Sequence, residues 1–374
     1  MEDGADASNA AADCVACDAY EWTGRLAPSP TGRLHIGNAY AALAAWLSAR
    51  SRGGRLVLRI EDIDRQRCKP GADTAVMEDL RWLGLDWDGD VIWQSARGDL
   101  YDLALAALQR KGLIYPCFCS RGQLRAASAP HDDDGFLIYP GTCRRMSDTE
   151  RRRRLEDGER HSWRLAMPDS QVTVHDRIFG DRVYDLAKDC GDVVLRRSDG
   201  MVAYQLAVTV DDMAQCVTDI VRGRDLLRSA AIQLWLRRCL ADGDVSSVMP
   251  SAMPFPVPHA DSVLASPTAP TPCAPSFAHL PLLDDASGKR LAKRDRAVDL
   301  ASLRARGVRP QSVVGYCAWL MGIVESPEPA EPGELLAAYS EATISKDLSD
   351  RHVDTDDMDG TGRADIAADD RTVG

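Results

Sequence analysis

The chain has 374 residues, 45% of them apolar and 27% charged, and is long enough for one large domain or two smaller ones. It contains no run of about 18 apolar residues, which argues against a membrane-spanning helix. Its first twenty residues are acidic and rich in alanine, unlike a secretory signal peptide. We therefore expect a globular cytoplasmic protein without a membrane partner.

The net charge of −12 comes from the two ends of the chain. Residues 1–21 carry six acidic residues and no Lys or Arg, and residues 345–374 carry nine acidic and four basic residues. Because the middle of the chain is close to neutral, the overall acidity does not exclude an RNA partner. Eleven cysteines without an export signal predict reduced thiols rather than a disulfide framework.

The first ordered segment has the pattern of a βαβ unit. Residues 24–27 predict a short strand, and the two prolines of PSPTG that follow exclude a helix. The Ala- and Leu-rich stretch 38–52 predicts a helix that ends at two glycines, and residues 55–60 predict a second strand. Strand, turn, helix and strand within about 40 residues indicate an α/β protein with a doubly wound parallel sheet.

Further elements follow with interruptions. Helices are predicted at residues 74–83 and 100–111, and strand and helix patterns resume between 192 and 240. The stretch 144–160 contains seven arginines and five acidic residues. It predicts a solvated helix face, with a contact to RNA phosphates as the alternative.

The second half of the chain changes character after residue 240. Residues 241–277 are dense in Pro, Ser and Ala and predict a flexible inserted loop. An ordered, partly helical region is predicted at 278–340. The acidic arm 1–21 and the acidic tail 341–374 are predicted to be disordered.

The segment RLAPSPTGRLHIGN, residues 25–38, joins the first predicted strand to the first predicted helix. In doubly wound sheets, ligands bind at this edge. A helix N-terminus offers backbone N–H groups to a phosphate, and Gly37 would leave room for an adenine ring. His35 could donate a hydrogen bond as charge builds on the α-phosphate, although a histidine that only satisfies the turn is the alternative.

PSPTG followed by His35, Ile36 and Gly37 resembles the HIGH signature of class I aminoacyl-tRNA synthetases, in its glutamate branch. Far downstream, GKRLAKR, residues 288–294, resembles the mobile KMSKS loop of the same family. This resemblance implies a Rossmann-like class I catalytic domain at 22–240. It also implies ATP as a substrate, with Mg²⁺.

The family's functional residues can be carried over where the motifs match. His35 and Lys293 are the implied catalytic residues, and the implied ATP-binding residues are His35, Gly37, Asn38 and Lys293. Lys293 would stabilise the departing pyrophosphate electrostatically. The sequence departs from the family at Asn38, often His and here a good helix cap, and at Ala292, usually Ser. The departures put the rate of adenylate formation in question.

A glutamate substrate has one ammonium and two carboxylate groups, so its site needs an acid and preferably two arginine forks. By resemblance Glu61 is the acid, Arg25 and Arg222 are the arginines, and Tyr204 lines the pocket. Taken singly, Glu61 could instead form a surface ion pair and Tyr204 could be a core aromatic. The remaining implied glutamate-binding residues are Leu26, Ala27, Pro28 and Ser29.

Cys117, Cys119 and Cys143 lie close together in a loop-like insertion at about 115–145. Three thiolates can bind Zn²⁺, but a structural zinc ion takes four ligands. On chemistry alone His131 could be the fourth ligand. The resemblance implies Tyr139, since a Cys-x-Cys, Tyr-x-x-x-Cys zinc site occurs in a short relative of glutamyl-tRNA synthetase. Three free cysteines are the alternative.

About 45 plausibly ordered residues follow the lysine loop, fewer than an anticodon-binding domain requires. Over residues 22–340 the chain therefore resembles the glutamyl-Q tRNA(Asp) synthetases, which lack that domain. The implied activity is tRNA-independent activation of L-glutamate with ATP, followed by transfer of glutamate to the queuosine base in the anticodon of tRNA(Asp). A monomer is also implied.

Three alternatives remain open. The chain could be a truncated glutamyl-tRNA synthetase that charges tRNA(Glu). It could be a catalytically silent paralogue that binds RNA or an amino acid, given Ala292 and Asn38. It could also adenylate a carboxylate on a small molecule, because the sequence has no strong basic stripe.

Overall fold

The computed structural model describes the following parts of the chain: residues 22–120, 122–123, 137–241, 274–284 and 299–354. The predicted acidic arm 1–21, most of the predicted loop 241–277 and the lysine loop 288–294 lie outside the described residues. His131 and residues 355–374 also lie outside them.

Twelve strands are present in the described part of the chain. In chain order they are β1 (Thr23–Leu26), β2 (Arg55–Ile60), β3 (Ile92–Trp93), β4 (Ile114–Cys117), β5 (Ser162–Leu165), β6 (Gln171–Asp176), β7 (Gly180–Asp185), β8 (Val193–Arg196), β9 (Asp219–Gly223), β10 (Ser276–Leu280), β11 (Leu283–Asp284) and β12 (Arg351–His352).

The main strands are parallel and form two sheets placed edge to edge. β2 pairs in parallel with β1 and β3. β10 pairs in parallel with β9 and β6, and β7 closes this second sheet as an antiparallel hairpin. β1 and β9 lie side by side, because the N–H of Thr218 donates to the Thr23 carbonyl oxygen at 2.9 Å. The order of the strands across the two sheets therefore reverses between β1 and β9. Doubly wound proteins bind ligands at such a position.

The described helices of four or more residues, other than 3₁₀ and π turns, lie between these strands or after them. They are α1 (Ile36–Arg50), α2 (Ala72–Trp82), α3 (Gly98–Arg110), α4 (Asp148–Glu156), α5 (Tyr204–Ala214), α6 (Leu227–Ala241), α7 (Leu300–Ala305), α8 (Pro310–Leu320) and α9 (Glu341–Ile344). None of the helices in the described ranges is both long enough and apolar enough to cross a lipid bilayer.

Two hydrophobic cores cover the two faces of the sheet. Leu56 and Leu58 of β2 and Ala278 of β10 belong to the core that also contains α1 and α8. Val57 and Phe277, the alternate residues of the same strands, belong to the core that contains α3, α5 and α6. Because successive side chains of a strand point to opposite faces, both faces are buried. This arrangement confirms the predicted α/β fold with helices on both sides of the sheet.

The predicted βαβ unit agrees closely with the structure. β2 has the predicted bounds, and α1 begins and ends two residues earlier than predicted. The chain leaves α1 through Gly53, whose φ is 64°, and Gly54. A Cβ atom on Gly54 would lie 2.5 Å from the Trp22 carbonyl oxygen, so only glycine allows the chain to turn back into β2 here.

Two predicted boundaries are wrong. The loop predicted at 241–277 overlaps β10, which begins at Ser276 and has Phe277 only 2% exposed. The prolines and serines around this strand concealed it, since five residues are too few to establish a period of two.

The tail predicted to be disordered from residue 341 also contains structure. Residues 341–354 are placed and include α9 and β12, and β12 pairs with β11. Ile344 is 1% exposed and Val353 is 6% exposed. These isolated apolar residues lie among acidic neighbours. The end of the folded region, predicted from composition alone, was therefore placed too early in the chain.

The insertion begins in a small antiparallel sheet of the order β4, β5, β8. α4 follows the insertion in the chain, and none of the nine residues of this helix is buried. Three of its arginines, Arg151, Arg153 and Arg154, form ion pairs with nearby acidic residues. These contacts agree with the predicted solvated helix, and an RNA contact stays a prediction.

Cys216 is disulfide-bonded, contrary to the expectation of reduced thiols, whereas seven other described cysteines are free.

Candidate active site

A cavity of about 690 Å³ lies at the carboxyl ends of β1, β2 and β9, beside the N-terminus of α1. Its position is the point where the strand order reverses. The described residues that line it are Arg25, Leu26, Ala27, Pro28, Ser29, Thr31, Gly32, Arg33, Leu34, His35, Asn38, Ala41, Ala42, Ala45, Glu61, Lys69, Leu80, Tyr204, Val221, Arg222, Gly223, Asp225, Leu226 and Asp299. The structure therefore brings together Arg25, Glu61 and Arg222, which were predicted from separate parts of the sequence, with His35 and Tyr204.

The turn between β1 and α1 is held by backbone hydrogen bonds to its two prolines. The N–H of Glu61 donates to the Pro28 carbonyl oxygen at 3.0 Å, and the N–H of Lys69 donates to the Pro30 carbonyl oxygen at 3.2 Å. These bonds attach the turn to the end of β2 and to the loop after it. The prolines keep this turn out of a helix, and His35 and Asn38 at the N-terminus of α1 line the cavity.

His35 is the residue immediately before α1, and its backbone is extended. The Asn38 side-chain oxygen accepts a hydrogen bond from the His35 N–H at 3.1 Å. Asn38 therefore occupies the third helical position of a capping box, not the cap position itself. In this position Asn replaces the family His without loss of the helix start.

Gly37 packs against the His35 ring, and its predicted place beside the adenine of ATP stays a prediction. In the part of the chain that the structure describes, it is not among the residues lining the cavity. A Cβ atom on Gly37 would lie 3.1 Å from both Cε1 and Nδ1 of His35. The missing side chain therefore leaves room for the His35 imidazole, whereas the structure gives no contact between Gly37 and the cavity.

Arg25 projects from β1 and is 5% exposed. Its Nη1 donates to the Val221 carbonyl oxygen at 3.1 Å, and its Nε lies 3.8 Å from Asp212 Oδ1. Burial lowers the pKa of Arg25, an effect that Asp212 opposes and that the positive charges of Arg222 and Arg59 reinforce. The guanidinium is thus a buried cation at one end of the cavity.

Glu61 follows β2 and lines the same end of the cavity. Its Oε1 accepts a hydrogen bond from Arg59 Nη2 at 3.4 Å, and Arg59 is held in turn by Asp212 Oδ1 at 2.7 Å. Burial raises the pKa of Glu61, against the opposing charges of Arg59 and Arg25. An ionised Glu61 therefore gains from a cationic ligand group in the cavity.

Tyr204 and Arg222 meet on the other side of this end of the cavity. Tyr204 is the first residue of α5 and is 37% exposed, so it is not a core aromatic. Arg222 lies in β9, is 6% exposed, and places its Nη1 3.5 Å from the Tyr204 hydroxyl oxygen. Together with Arg25 and Glu61, these residues form one polar cluster of two cations, one acid and one phenol.

Several residues at this site were not predicted from the sequence. Lys69 and Asp225 line the cavity, and His279 and Asp176 lie directly behind Arg222. Asp225 follows Arg222 in the RGRD segment, so its spacing could have identified it. His279 gave no such signal, because a histidine in an apolar strand is usually a core residue.

Cys117, Cys119 and Cys143 form a cluster whose sulfur atoms all lie within 4.8 Å of one another. The sulfur atoms of Cys119 and Cys143 are 3.6 Å apart. The Tyr139 hydroxyl oxygen lies 3.4 Å from the Cys117 sulfur and 3.5 Å from the Cys119 sulfur. Four donors thus meet at one point, and the cluster could hold a metal ion.

The remaining predicted site residue, Lys293, lies outside the described residues, as does His131. The placement of Lys293 against the cavity therefore stays a prediction. Asp299, the first residue described after that gap, lines the cavity and pairs with His35 in an isolated β-bridge.

The family whose description is "tRNA synthetases class I (E and Q), catalytic domain" matches residues 22–243. A solved glutamate tRNA ligase from Elizabethkingia meningosepticum, in complex with its amino acid, has a similar fold. The TM-score is 0.69 at 25% identity, over 90% of this chain and 68% of that one. The fold is thus that of a class I aminoacyl-tRNA synthetase catalytic domain of the glutamate and glutamine branch.

Curated relatives narrow this class. The glutamyl-Q tRNA(Asp) synthetase of Symbiobacterium thermophilum is 46% identical over 335 residues, 87% of this chain and 94% of that protein. The protein of the same name from Nocardia farcinica is 41% identical over 325 residues, 87% of this chain and 91% of that protein. The chain belongs to the glutamyl-Q tRNA(Asp) synthetase family of class I synthetase-like ligases.

Proposed function

We propose that this chain activates L-glutamate with ATP, without tRNA, and transfers the glutamyl group to the queuosine base in the anticodon of tRNA(Asp). The proposal rests on one observation: two arginines, an acid and a tyrosine line the same cavity as a helix N-terminus. A glutamate and a nucleotide need these groups at opposite ends of one site.

The polar cluster suits glutamate in charge and in number. The Glu61 carboxylate would bind the substrate ammonium group, and Arg25 and Arg222 would bind the two carboxylates. Tyr204 would contact the substrate beside Arg222. Leu26, Ala27, Pro28 and Ser29 would form the wall of the glutamate pocket.

The nucleotide would lie at the N-terminus of α1, where backbone N–H groups and the helix dipole favour phosphate. The oxygen of the glutamate α-carboxylate attacks the α-phosphorus of ATP, and the bond to pyrophosphate breaks. His35 and Lys293 would stabilise the charge that develops, and Mg²⁺ would accompany the triphosphate. A hydroxyl group of the modified base then attacks the acyl carbon and releases AMP, so no side-chain nucleophile is required.

The cysteine cluster fits a structural Zn²⁺ ion in this proposal. A tetrahedral zinc site with bonds of ~2.3 Å to sulfur and ~2.0 Å to oxygen separates its donors by about 3.8 Å and about 3.5 Å. The observed separations of 3.6 Å between sulfurs and 3.4 and 3.5 Å from sulfur to the Tyr139 oxygen agree with these values. Cys117, Cys119, Tyr139 and Cys143 would hold the ion, which would fix the insertion.

The proposal includes a cytoplasmic location, as for other aminoacyl-tRNA synthetase-like enzymes, and a monomeric state. Size-exclusion chromatography with light scattering tests the monomer. A mass near twice 40.8 kDa would contradict it.

Glutamate-dependent exchange between ATP and labelled pyrophosphate, measured without tRNA, tests the activation step. We expect exchange with glutamate, and we expect His35→Ala and Lys293→Ala to lower its rate more than the affinity for glutamate. Lys188→Ala is the matched control, because Lys188 is exposed and pairs with Asp185 away from the cavity.

Two outcomes would contradict this assignment. Exchange that requires tRNA would favour a truncated glutamyl-tRNA synthetase. An absence of exchange under all conditions would favour a silent paralogue.

A further inference from the structure

The face of Arg222 that points away from the cavity contacts a buried histidine. Arg222 Nε donates a hydrogen bond to His279 Nε2 at 3.1 Å. His279 Nδ1 lies 2.6 Å from Asp176 Oδ2 on its other side. His279 is 0% exposed, and both of its partners are at least nine-tenths buried. The three side chains form a continuous hydrogen-bonded chain that ends at the cavity.

The sheet places these residues in line. His279 of β10 is the register partner of Arg222 in β9. Asp176 ends β6, the strand on the other side of β10. The hydrogen-bonded chain of these three side chains therefore crosses three adjacent parallel strands at their carboxyl ends. Phe277 packs against this hydrogen-bonded chain. The centre of its ring is stacked 5.9 Å from the centre of the His279 ring and lies 5.7 Å from Cζ of Arg222.

Asp176 fixes the tautomer of His279. Its Oδ1 accepts hydrogen bonds from the N–H groups of Ile178 and Phe179, at 3.0 and 2.8 Å, and the His279 N–H donates to Oδ2 at 3.0 Å. Although burial opposes ionisation, the bonds from His279 and from these N–H groups hold the pKa of Asp176 below its usual value. An ionised carboxylate only accepts, so the proton of the imidazole is on Nδ1 and Nε2 is left as an acceptor.

Burial and the nearby charges of Arg222 and Arg25 keep His279 neutral, whereas Asp176 favours its charged form. Asp176 faces it from β6, Arg222 from β9 and Arg25 from β1. Burial lowers the pKa of His279 to about 4, against the opposing hydrogen bond to Asp176. A protonated His279 would present an N–H to the Arg222 N–H, which would repel the arginine.

We propose that Asp176 and His279 are positioning residues that hold the Arg222 guanidinium in the orientation that binds a carboxylate of the amino-acid substrate. The inference rests on the proposed role of Arg222 in binding glutamate. Nε bonds to His279, Nη1 reaches the Tyr204 hydroxyl at 3.5 Å, and Nη2 donates to the Leu226 carbonyl oxygen at 3.2 Å. A guanidinium has five N–H donors, so two remain for a ligand within the described structure.

The substitution Asp176→Asn tests the tautomer directly. The new amide N–H would donate to His279 Nδ1, moving the imidazole proton to Nε2, where it opposes the Arg222 N–H. A similar carboxylate-to-amide change gives the catalytic histidine of serine proteases the wrong tautomer. We expect the KM for glutamate to rise about tenfold or more, with the KM for ATP within about twofold of the wild-type value.

Two substitutions of His279 separate positioning from packing. His279→Leu removes the acceptor, whereas His279→Gln can place its side-chain oxygen near Arg222 Nε and keep one. We expect the KM for glutamate to increase more in His279→Leu than in His279→Gln. Equal increases in the two variants would contradict the proposal.

Asp219→Asn is the matched control. Asp219 is 0% exposed and lies in the same strand as Arg222, but it bonds to Arg177 and Ser48 at the other end of that strand. We expect this variant to lose stability without a change in the KM for glutamate. The proposal is overturned if Asp176→Asn raises this KM no more than Asp219→Asn does.

A measurement on the unchanged protein covers the case in which the variants fail to fold. Nitrogen-15 NMR of the His279 ring, assigned with His279→Gln, should show the proton on Nδ1. A proton on Nε2 would overturn the inference. Arg222→Ala distinguishes a failure of the proposed function from a failure of the positioning role. If it leaves glutamate binding unchanged, the proposed function fails, whereas if it weakens binding and the Asp176 and His279 variants do not, only the positioning role fails.

Discussion

Arg25 Nη1 donates a hydrogen bond to the Val221 carbonyl oxygen at 3.1 Å, across the point where the strand order reverses. Val221 is followed directly by Arg222, so this bond fixes the spacing of the two arginines that line the cavity. Two buried cations held near each other raise the free energy of the empty site. An anionic ligand group relieves this repulsion, which favours a substrate with carboxylates.

Arg25→Lys and Arg222→Lys should each raise the KM for glutamate by about ten- to a hundredfold. Lysine keeps the charge but cannot form the bidentate fork, and it also cannot retain the bonds to Val221 or His279. The KM for ATP should change little. Steady-state pyrophosphate exchange at varied glutamate and ATP checks this. An equal rise in both KM values would indicate a general disturbance of the cavity.

Glutamate binding should weaken at acidic pH because of Glu61. Its pKa is raised by burial, so falling pH protonates it earlier than an ordinary glutamate and removes the charge that attracts the substrate ammonium group. The KM for glutamate should therefore rise as pH falls through this raised pKa. In Glu61→Gln the KM should be high at all pH values and its dependence on pH flatter. An unchanged profile in this variant would contradict the role of Glu61.

The free energy of unfolding should fall as pH drops from about 6.5 to about 4. The folded-state pKa of His279 is lowered to about 4, so in this window the unfolded chain binds a proton that the folded protein does not. A difference of this size corresponds to up to ~3 kcal/mol, fully present above the unfolded pKa. Urea unfolding at several pH values checks this. His279→Gln should lose this part of the slope, and parallel curves for the two proteins would count against it.

Glu341 should anchor the C-terminal segment to the sheet. It pairs with Arg52 Nη2 at 2.7 Å and Arg177 Nη2 at 3.1 Å, with its side chain 12% exposed. Glu341→Ala should lower the free energy of unfolding by about 2 kcal/mol, because it leaves the half-buried Arg177 and the more exposed Arg52 less well paired. The exposed Glu325 offers a control, and Glu325→Ala should be nearly neutral. Equal urea midpoints for both variants would refute the anchor.

The metal site should require all of its donors. Cys119→Ser and Tyr139→Phe should lower the zinc content of the purified protein below one ion per chain, as measured by atomic emission. Cys190→Ser is the control, because Cys190 is a buried free cysteine outside the cluster. An unchanged zinc content in Cys119→Ser and Tyr139→Phe would remove the cluster as the zinc site.

The parts of the fold that the sequence predicted well are those with a clear local pattern. β2 and α1 have strong apolar patterns and are separated by two glycines, so their bounds were predicted within two residues. β10 was missed because it has five residues and depends on pairing with strands that are distant in the sequence. The order of the strands could not be read from local patterns at all.

At the site, motif resemblance brought together Arg25, Glu61, Tyr204 and Arg222, and the structure places them around one cavity. It could not identify His279, whose role depends on its two partners in neighbouring strands. It also could not show that Gly37 makes room for the His35 ring, since the packing of a ring against the backbone is not visible in a sequence. The binding of ATP beside Gly37 stays a prediction.

The measurement that tests the central claim most directly is transfer of labelled glutamate to purified tRNA. The substrates to compare are tRNA(Asp) with queuosine, the same tRNA without this modification, and tRNA(Glu). We predict label on the queuosine-containing tRNA(Asp) and on neither of the others. Label on tRNA(Glu), or equal label on modified and unmodified tRNA(Asp), would contradict the proposed function.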